Sequence, residues 1–413
     1  MDPSLAATAS QWATETNSAL YIQLGNADTA DAVLKALEKN VAEIKQEADD
    51  EDNEDDGEDG ADVIQFHPAF TYPIYGEHER VFGYKGLSIN LHYAAGSLAT
   101  FVEVKFQKII TAMESSLPIP LRADNVEAPL IQVLSQPALC QSKQEFANRV
   151  AQDTEQFRPP GKKIHEYVRD SILYEVYKGD FSMAAVRQYH ERMQTFVLFF
   201  IEGAQFVDMG DERWTVYMVF EKLHLEGRSS ACYNLVGFTT VYGFYHWPDM
   251  RRMRISQFLV LPPYQNMGHG SALYKAVFAD ISNDLRIVDL AVEDPSAAFD
   301  DMRDLCDLRY LLKHNAFEGL RAPVALADVK KLGAKYKLAR RQITRCLEIA
   351  LLRQLDLVRD PEGYREYRLF VKRRIYAQNA DQMAGMDADE KKQRVRDAYA
   401  AVEEDYHRII ASI

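Results

Sequence analysis

No stretch of this 413-residue chain is apolar for long enough to cross a membrane. Its longest candidate run, residues 196–201, makes only one or two turns of helix, against the ~20 residues that a spanning helix needs. The first twenty residues lack the basic start and long apolar core of a secretory signal. Cysteine is scarce: Cys140, Cys232, Cys306 and Cys346 form no close pair, no Cys-x-x-Cys and no His/Cys ligand spacing. Disulfides and structural zinc are therefore not expected, and a reducing compartment is. Positive charge is also in short supply, with 48 Lys and Arg against 62 Asp and Glu, a net charge of −14. Such a surface does not favour direct nucleic-acid binding and does favour a basic partner. No internal repeat is present. These absences predict a soluble intracellular protein that uses neither membrane nor metal.

What the chain does have is enough apolar sequence, 47%, for two or three cores. Its negative charge is concentrated: residues 47–62 read EADDEDNEDDGEDGAD, with eleven carboxylates and no base. That run predicts a solvated, disordered insert, which would also attract a basic ligand. Four regions are expected. Residues 1–62 carry the acidic tract and a helical stretch at 29–48. Residues 63–170, rich in Tyr, Phe and Val punctuated by Gly83, Gly86 and Gly96, predict a small α+β domain. Residues 171–313 predict an α/β core and residues 314–413 a charged helical domain. Within the core, Ala185, Val186, Tyr189, Met193, Phe196, Val197, Phe200 and Ile201 recur at helical spacing, which predicts one helix over 182–202. Strands are expected at 214–223, 231–242, 254–261 and 287–292, with a turn around Glu226-Gly227 and helices at 271–281 and 296–312. In the last region helices are expected at 325–332, 339–355 and 388–413. Arg340-Arg341 and Lys372-Arg373-Arg374 read there as solvated positive charge.

The sharpest motif is Gln265-Asn266-Met267-Gly268-His269-Gly270, set between an expected strand and an expected helix that begins at Ser271. Unpaired N–H groups and the helix dipole favour an anion at such a helix start, and glycine lets the backbone approach it. A nucleotide P-loop would need a lysine after Gly270, and none follows. A dinucleotide fold would want a third glycine where Leu273 stands. The pyrophosphate of coenzyme A remains, because Gln-x-x-Gly-x-Gly between strand and helix is the pattern of the GNAT superfamily of N-acetyltransferases. Read alone, Gly-x-Gly also occurs in ordinary turns.

Longer segments give that motif its context. VFGYKGLSINLHYAAGSLATFVEV (81–104), YHERMQTFVLFFIEGAQFVD (189–208), DERW (211–214), ISQFLVLPPYQNMGHGSALY (255–274) and AVEDPS (291–296) resemble, in order, the type B histone acetyltransferase catalytic subunits, and the fungal members among them. The resemblance runs from about residue 81 to 312. It implies a GNAT fold: a central mixed, mostly antiparallel sheet flanked by helices, with a small N-terminal α+β domain and a C-terminal helical domain. It implies acetyl-CoA as co-substrate and no metal. Phe258, Leu259 and Val260 would pair with the pantetheine arm. Gln265, Asn266, Met267, Gly268, His269, Gly270 and Ser271 would hold the pyrophosphate, and Ser296 would also meet the coenzyme. Trp214, Tyr242, Gly243 and Phe244 would line a groove for the histone H4 tail, with Glu77, His78 and Glu79 as a further contact. The implied partners are histone H4 with its dimer partner H3 and a WD-repeat histone-binding subunit, in cytoplasm and nucleus.

The chemistry asks for a proton acceptor. A lysine with a pKa near 10.4 is neutral about once in two thousand molecules at pH 7, and only the neutral amine attacks a thioester. Glu293-Asp294, at the end of the expected fourth strand, offers two carboxylates, of which alternation lets one face the thioester. Glu293 is the expected base and Asp294 its neighbour. Glu202 is the second candidate, placed at the end of an apolar helix where partial burial would suit it to proton transfer. His269 is expected to serve the loop rather than act as a base. The competing reading is a non-catalytic acidic histone chaperone on an acetyltransferase fold, and a small-molecule or N-terminal acetyltransferase is a second.

Overall fold

The computed structural model describes residues 11–25, 64–110, 122–224, 230–356 and 358–413. The acidic tract, the helix expected at 29–48 and the turn at Glu226-Gly227 lie outside these residues. The chain divides into two compact units, Met1–Thr240 with Gln257–His269, and Val241–Ser256 with Gly270–Ile413.

In the first unit, a four-stranded sheet forms where aromatic and β-branched residues alternate with polar ones. Its strands are β1 (Leu20–Gly25), β2 (Ile64–Phe66), β3 (Ser88–Ala94) and β4 (Thr100–Lys105), in the order β2-β1-β3-β4. β1 runs parallel to β3, and the other two pairings are antiparallel. Ile22, Ile89, Leu91 and Tyr93 are fully buried. Helix α1 (Glu127–Val133) precedes α2 (Lys143–Gln156), whose start is fixed by the Ser142 hydroxyl accepting from the Glu145 N–H. Phe146 and Val150 of α2 pack with Ala94, Ala99 and Cys140.

A larger sheet follows, opening with a hairpin not among the expected elements: β5 (Lys162–Arg169) against β6 (Ile172–Asp180). Position 170, where a domain boundary was expected, is the turn of this hairpin. Asp170 and Ser171 both have positive φ, 48° and 66°, the geometry that matches the twist of a two-residue hairpin. The helix expected over 182–202 is two helices, α3 (Ala184–Met193) and α4 (Thr195–Phe200). At the junction the hydrogen bonds tighten from Gln194 N–H to His190 O to the shorter step of Val197 N–H to Gln194 O. Ile201 is extended, so Glu202 falls beyond the helix. Strands β7 (Trp214–Leu223), β8 (Cys232–His246) and β9 (Met250–Val260) come next. β8 leaves the first unit after Thr240, and β9 enters it at Gln257.

In the second unit, helix α5 (His269–Asn283) leads to β10 (Ile287–Val292), which lies parallel to β9 with Ile255 opposite Val292. The neighbour order of the whole sheet is β10-β9-β8-β7-β6-β5, antiparallel at β5-β6-β7 and parallel at β9-β10. The C-terminal helices are α6 (Ala297–Lys313), α7 (Leu326–Tyr336), α8 (Arg340–Gln354), α9 (Pro361–Gln378) and α10 (Ala388–Ile410). Their charge is not all on the outer face. Fully buried Glu348 of α8 accepts from Arg374 at 2.7 and 2.8 Å and from the Tyr406 hydroxyl at 2.8 Å. One of the arginines expected in solvent is therefore a tether between helices. All four cysteines are buried free thiols, and no described helix is long and apolar enough to cross a membrane.

Candidate active site

Each unit, taken by itself, holds its own set of candidate groups. In the first, β9 ends at Val260 and the chain makes a single turn, Pro262–Tyr264, before the loop at 265–268. The Gln265 amide reaches back to donate to the Val260 carbonyl at 2.8 Å, which ties the loop to the strand. Asn266 and Gly268 both lie in the left-handed region, φ 59° and 82°. Glycine is needed at 268 for a second reason: a Cβ there would meet the Arg169 guanidinium at 2.6 Å. Helix α5 starts at His269, two residues earlier than expected, with no acidic residue in its first turn.

Beneath the loop is a set of aromatic and polar groups. His269 is buried, its Nδ1 2.8 Å from the Tyr167 hydroxyl and its ring 4.5 Å from that of Tyr174. Tyr174, Tyr264 and Asn234 all donate to the buried Glu221 carboxylate, at 3.4, 3.3 and 3.0 Å. Burial, and then the positive charge of Arg169, push the His269 pKa down. The His269 Nε2 is buried and has no partner among the described residues. The loop thus offers a helix start, a glycine that clears room at the backbone, an adjacent guanidinium and an unfilled buried nitrogen. That set fits an anionic phosphate group. Approaching it, Phe258 and Val260 are half-buried while Leu259 is buried. Gly237 of β8 lies so close that a Cβ would meet the Leu259 carbonyl at 2.5 Å.

In the second unit, Glu293 lies one residue past the end of β10. Its N–H still bonds the Ile255 carbonyl at 2.9 Å, and its carboxylate is gripped from β9. Ser256 donates to one oxygen at 2.7 Å and the Arg254 guanidinium lies 3.0 Å from the other. The side chain remains 37% exposed, so its free lone pairs can still reach water or an ammonium. The face of Phe244 supports Arg254 at 4.5 Å, and Tyr242 meets Phe244 edge-on at 4.7 Å. Tyr242, Phe244, Arg254, Ser256 and Glu293 are therefore one connected group. Asp294 stands outside it, exposed at φ 33° in the bend before α6. Ser296 caps α6, accepting from the Phe299 N–H.

Other expected positions fall in the first unit. Glu202, expected to be partly buried on a helix, is exposed in a turn instead, because the helix ends at Phe200. That turn is anchored: the Gly203 N–H donates to the Tyr72 hydroxyl at 2.7 Å, and Gln257 donates to the Gln205 carbonyl at 2.8 Å. Trp214 opens β7 half-buried. Glu77 and His78 are exposed. Glu79, at φ 50°, holds the local backbone together, its carboxylate accepting from the N–H groups of Thr71 and Tyr72 and from Asn17, at 2.7, 3.0 and 2.8 Å. Desolvation works against its ionised form, but these hydrogen bonds prevail and hold the carboxyl below its ordinary pKa.

Arg254, Ser256, Tyr167 and Arg169 emerge as candidates only in the folded chain. Arg254 and Ser256 alternate on β9 on the side that reaches β10, a pairing that only the strand register reveals. Tyr167 and Arg169 had a visible signal: Asp170-Ser171 stands as a polar pair between two β-rich runs.

Known proteins are similar to this chain in sequence. Residues 12–202 match the family model described as histone acetyl transferase HAT1 N-terminus, and residues 189–299 match the acetyltransferase (GNAT) family. The fold of the core is accordingly the GNAT fold. The chain is 34% identical over 444 residues to a histone acetyltransferase type B catalytic subunit of Cryptococcus neoformans var. neoformans, covering 98% of this chain and 99% of the relative. A protein of the same description from Kluyveromyces lactis is 33% identical, covering 85% and 88%, and one from Homo sapiens is 31% identical, covering 84% and 88%.

Proposed function

Because the chain belongs to the family of histone acetyltransferase type B catalytic subunits, we propose that it transfers acetyl from acetyl-CoA to lysine side chains in the N-terminal tail of free, newly made histone H4. The observation that carries this reading is Glu293, an accessible carboxylate held at both oxygens at the end of the strand that follows the loop and helix. A carboxylate so fixed is suited to take a proton, directly or through a water, from the substrate amine. The neutral amine attacks the thioester carbonyl. The carbon–nitrogen bond forms, the carbon–sulfur bond breaks, the amine proton passes to Glu293 and the departing thiolate takes a proton from solvent. Arg254 and Ser256 keep the carboxylate in place, and Tyr242 and Phe244 offer an aromatic surface for the aliphatic stem of the lysine. The bound co-substrate supplies the activated acetyl group. The loop at 265–270 and the edge at 258–260 are the residues to hold it.

Histone H3 accompanying H4, a WD-repeat histone-binding subunit, and residence in both cytoplasm and nucleus belong to the same proposal. The net charge of −14 supports the basic histone partners. Co-purification of a WD-repeat protein with the tagged chain is the expected result, and its absence from both compartments removes that part of the proposal.

The decisive experiment measures coenzyme A release with an H4 tail peptide for wild type and Glu293→Gln. Turnover is expected in wild type, with a loss of about a hundredfold or more in the variant, the usual weight of a general base. Turnover unaffected by the substitution moves the base to Asp294 or Glu202. Firm histone binding without turnover establishes the chaperone reading instead.

A further inference from the structure

Resting on the acetyl-CoA reading above, we infer that Arg169 is a binding residue for the diphosphate of the coenzyme, closing over the loop at 265–269 from the β5–β6 hairpin. The geometry begins with alternation. Tyr167 and Arg169 project from the same face of β5, and both reach the loop: the Tyr167 hydroxyl meets His269, and the Arg169 guanidinium lies over Gly268. A Cβ on Gly268 would lie 2.6 Å from one guanidinium nitrogen and 2.9 Å from the other and from Cζ. The cation therefore sits against bare backbone at the point where the loop turns into α5. Among the described residues no carboxylate forms an ion pair with Arg169, which leaves its fork of donors for a ligand. The arginine is also well placed on its strand. It pairs with Ile172 across the two-residue turn of Asp170 and Ser171, both in the left-handed region that this turn requires.

An anion entering the loop would thus meet backbone N–H groups on one side and a planar guanidinium on the other. That fork suits two oxygens of a phosphate better than an ammonium would. The unpartnered, buried Nε2 of His269 lies in the same loop, and burial, then the nearby Arg169 cation, lowers the pKa of that imidazole.

The test is binding, measured by calorimetry, of CoA, dephospho-CoA and pantetheine to wild type, Arg169→Gln and Arg169→Lys. Wild type is expected to prefer CoA and dephospho-CoA to pantetheine. Arg169→Gln should weaken both phosphorylated ligands by about ten- to hundredfold and leave pantetheine unchanged, the scale of a charged hydrogen bond. Arg169→Lys should recover part of the loss. In turnover, KM for acetyl-CoA should rise with kcat retained. Equal binding of dephospho-CoA by wild type and Arg169→Gln overturns the assignment, and a loss confined to CoA assigns Arg169 to the 3′-phosphate instead. Failure of wild type to bind CoA at all overturns the acetyl-CoA reading itself, a result distinct from both. A measurement on unmodified protein guards against misfolded variants: CoA, but not pantetheine, should protect Arg169 from phenylglyoxal. Equal protection by the two ligands, or by neither, overturns the inference.

Discussion

The loop at 265–270 and the carboxylate at Glu293 are built in opposite ways. The loop works through its backbone: two left-handed residues, a glycine with no room for a side chain, and a helix start. Glu293 works through its neighbours, since its own backbone position says little until Ser256 and Arg254 are seen on its two oxygens. A backbone-built site tolerates a change of side chain and fails when φ or bulk is wrong. A partner-built site tolerates backbone adjustment and fails when the reacting atom shifts.

That contrast is most sharply tested by Glu293→Asp, which keeps the charge and shortens the side chain by one methylene. Asp should then be unable to meet both Arg254 and Ser256 from the same backbone position. A displacement of about 1 Å at a reacting group costs on the order of a hundredfold, so kcat should fall about that far with KM for acetyl-CoA unchanged. A variant at wild-type rate would show that charge alone matters and that the grip of Arg254 and Ser256 is incidental. Glu202→Asp, in an exposed turn, should stay within about twofold by the rule that surface changes cost little.

The same contrast explains what was legible in the sequence. The loop was legible because its constraints are local: Gln265, Gly268 and Gly270 announce a turn, an approach and a helix start within six residues. Strands β7 and β10 were placed correctly from their apolar runs. Glu293 was legible from the family resemblance together with its position at a strand end, but the residues that hold it were not, because Ile255 faces Val292 only through a long-range register. Glu202 was misplaced for a related reason. Helical spacing continues through Ile201, yet the helix ends at Phe200 and the next turn is tied elsewhere by Tyr72 and Gln257. The β5–β6 hairpin was hard to read for another reason: its turn signal is present, but its strands alternate only weakly, most of β5 being exposed.

A smaller effect probes the backbone-built site. Gly268→Ala places a methyl where φ is 82° and where the Arg169 guanidinium already sits. Left-handed backbone costs a non-glycine residue roughly 1–2 kcal/mol, so acetyl-CoA affinity should fall about tenfold while kcat holds. Because the clash is with the mobile end of an arginine, the double variant Gly268→Ala with Arg169→Ala should lose less than the two single losses combined. Strict additivity would mean that the guanidinium does not press on the loop.

The smallest effect is one of pH, and it reports on Arg169 without any ligand. Burial, and secondly the charge of Arg169, lower the pKa of His269, while Asp170 acts in the opposite direction. Tyr167, Tyr174 and Tyr264 also surround the ring, and all three are held neutral by burial. When the folded pKa lies below the unfolded value near 6.5, the unfolded chain takes up the proton first. Stability is then complete above that pH and declines as pH falls from it towards the folded pKa. Removing Arg169 takes away one of the two depressing causes, so in Arg169→Ala the His269 titration, followed by NMR, should move upward towards its ordinary value. The wild-type loss of stability on acidification should shrink with it. An unmoved titration would mean that burial alone sets the state of this histidine, and that the guanidinium lies farther from the loop than Gly268 indicates.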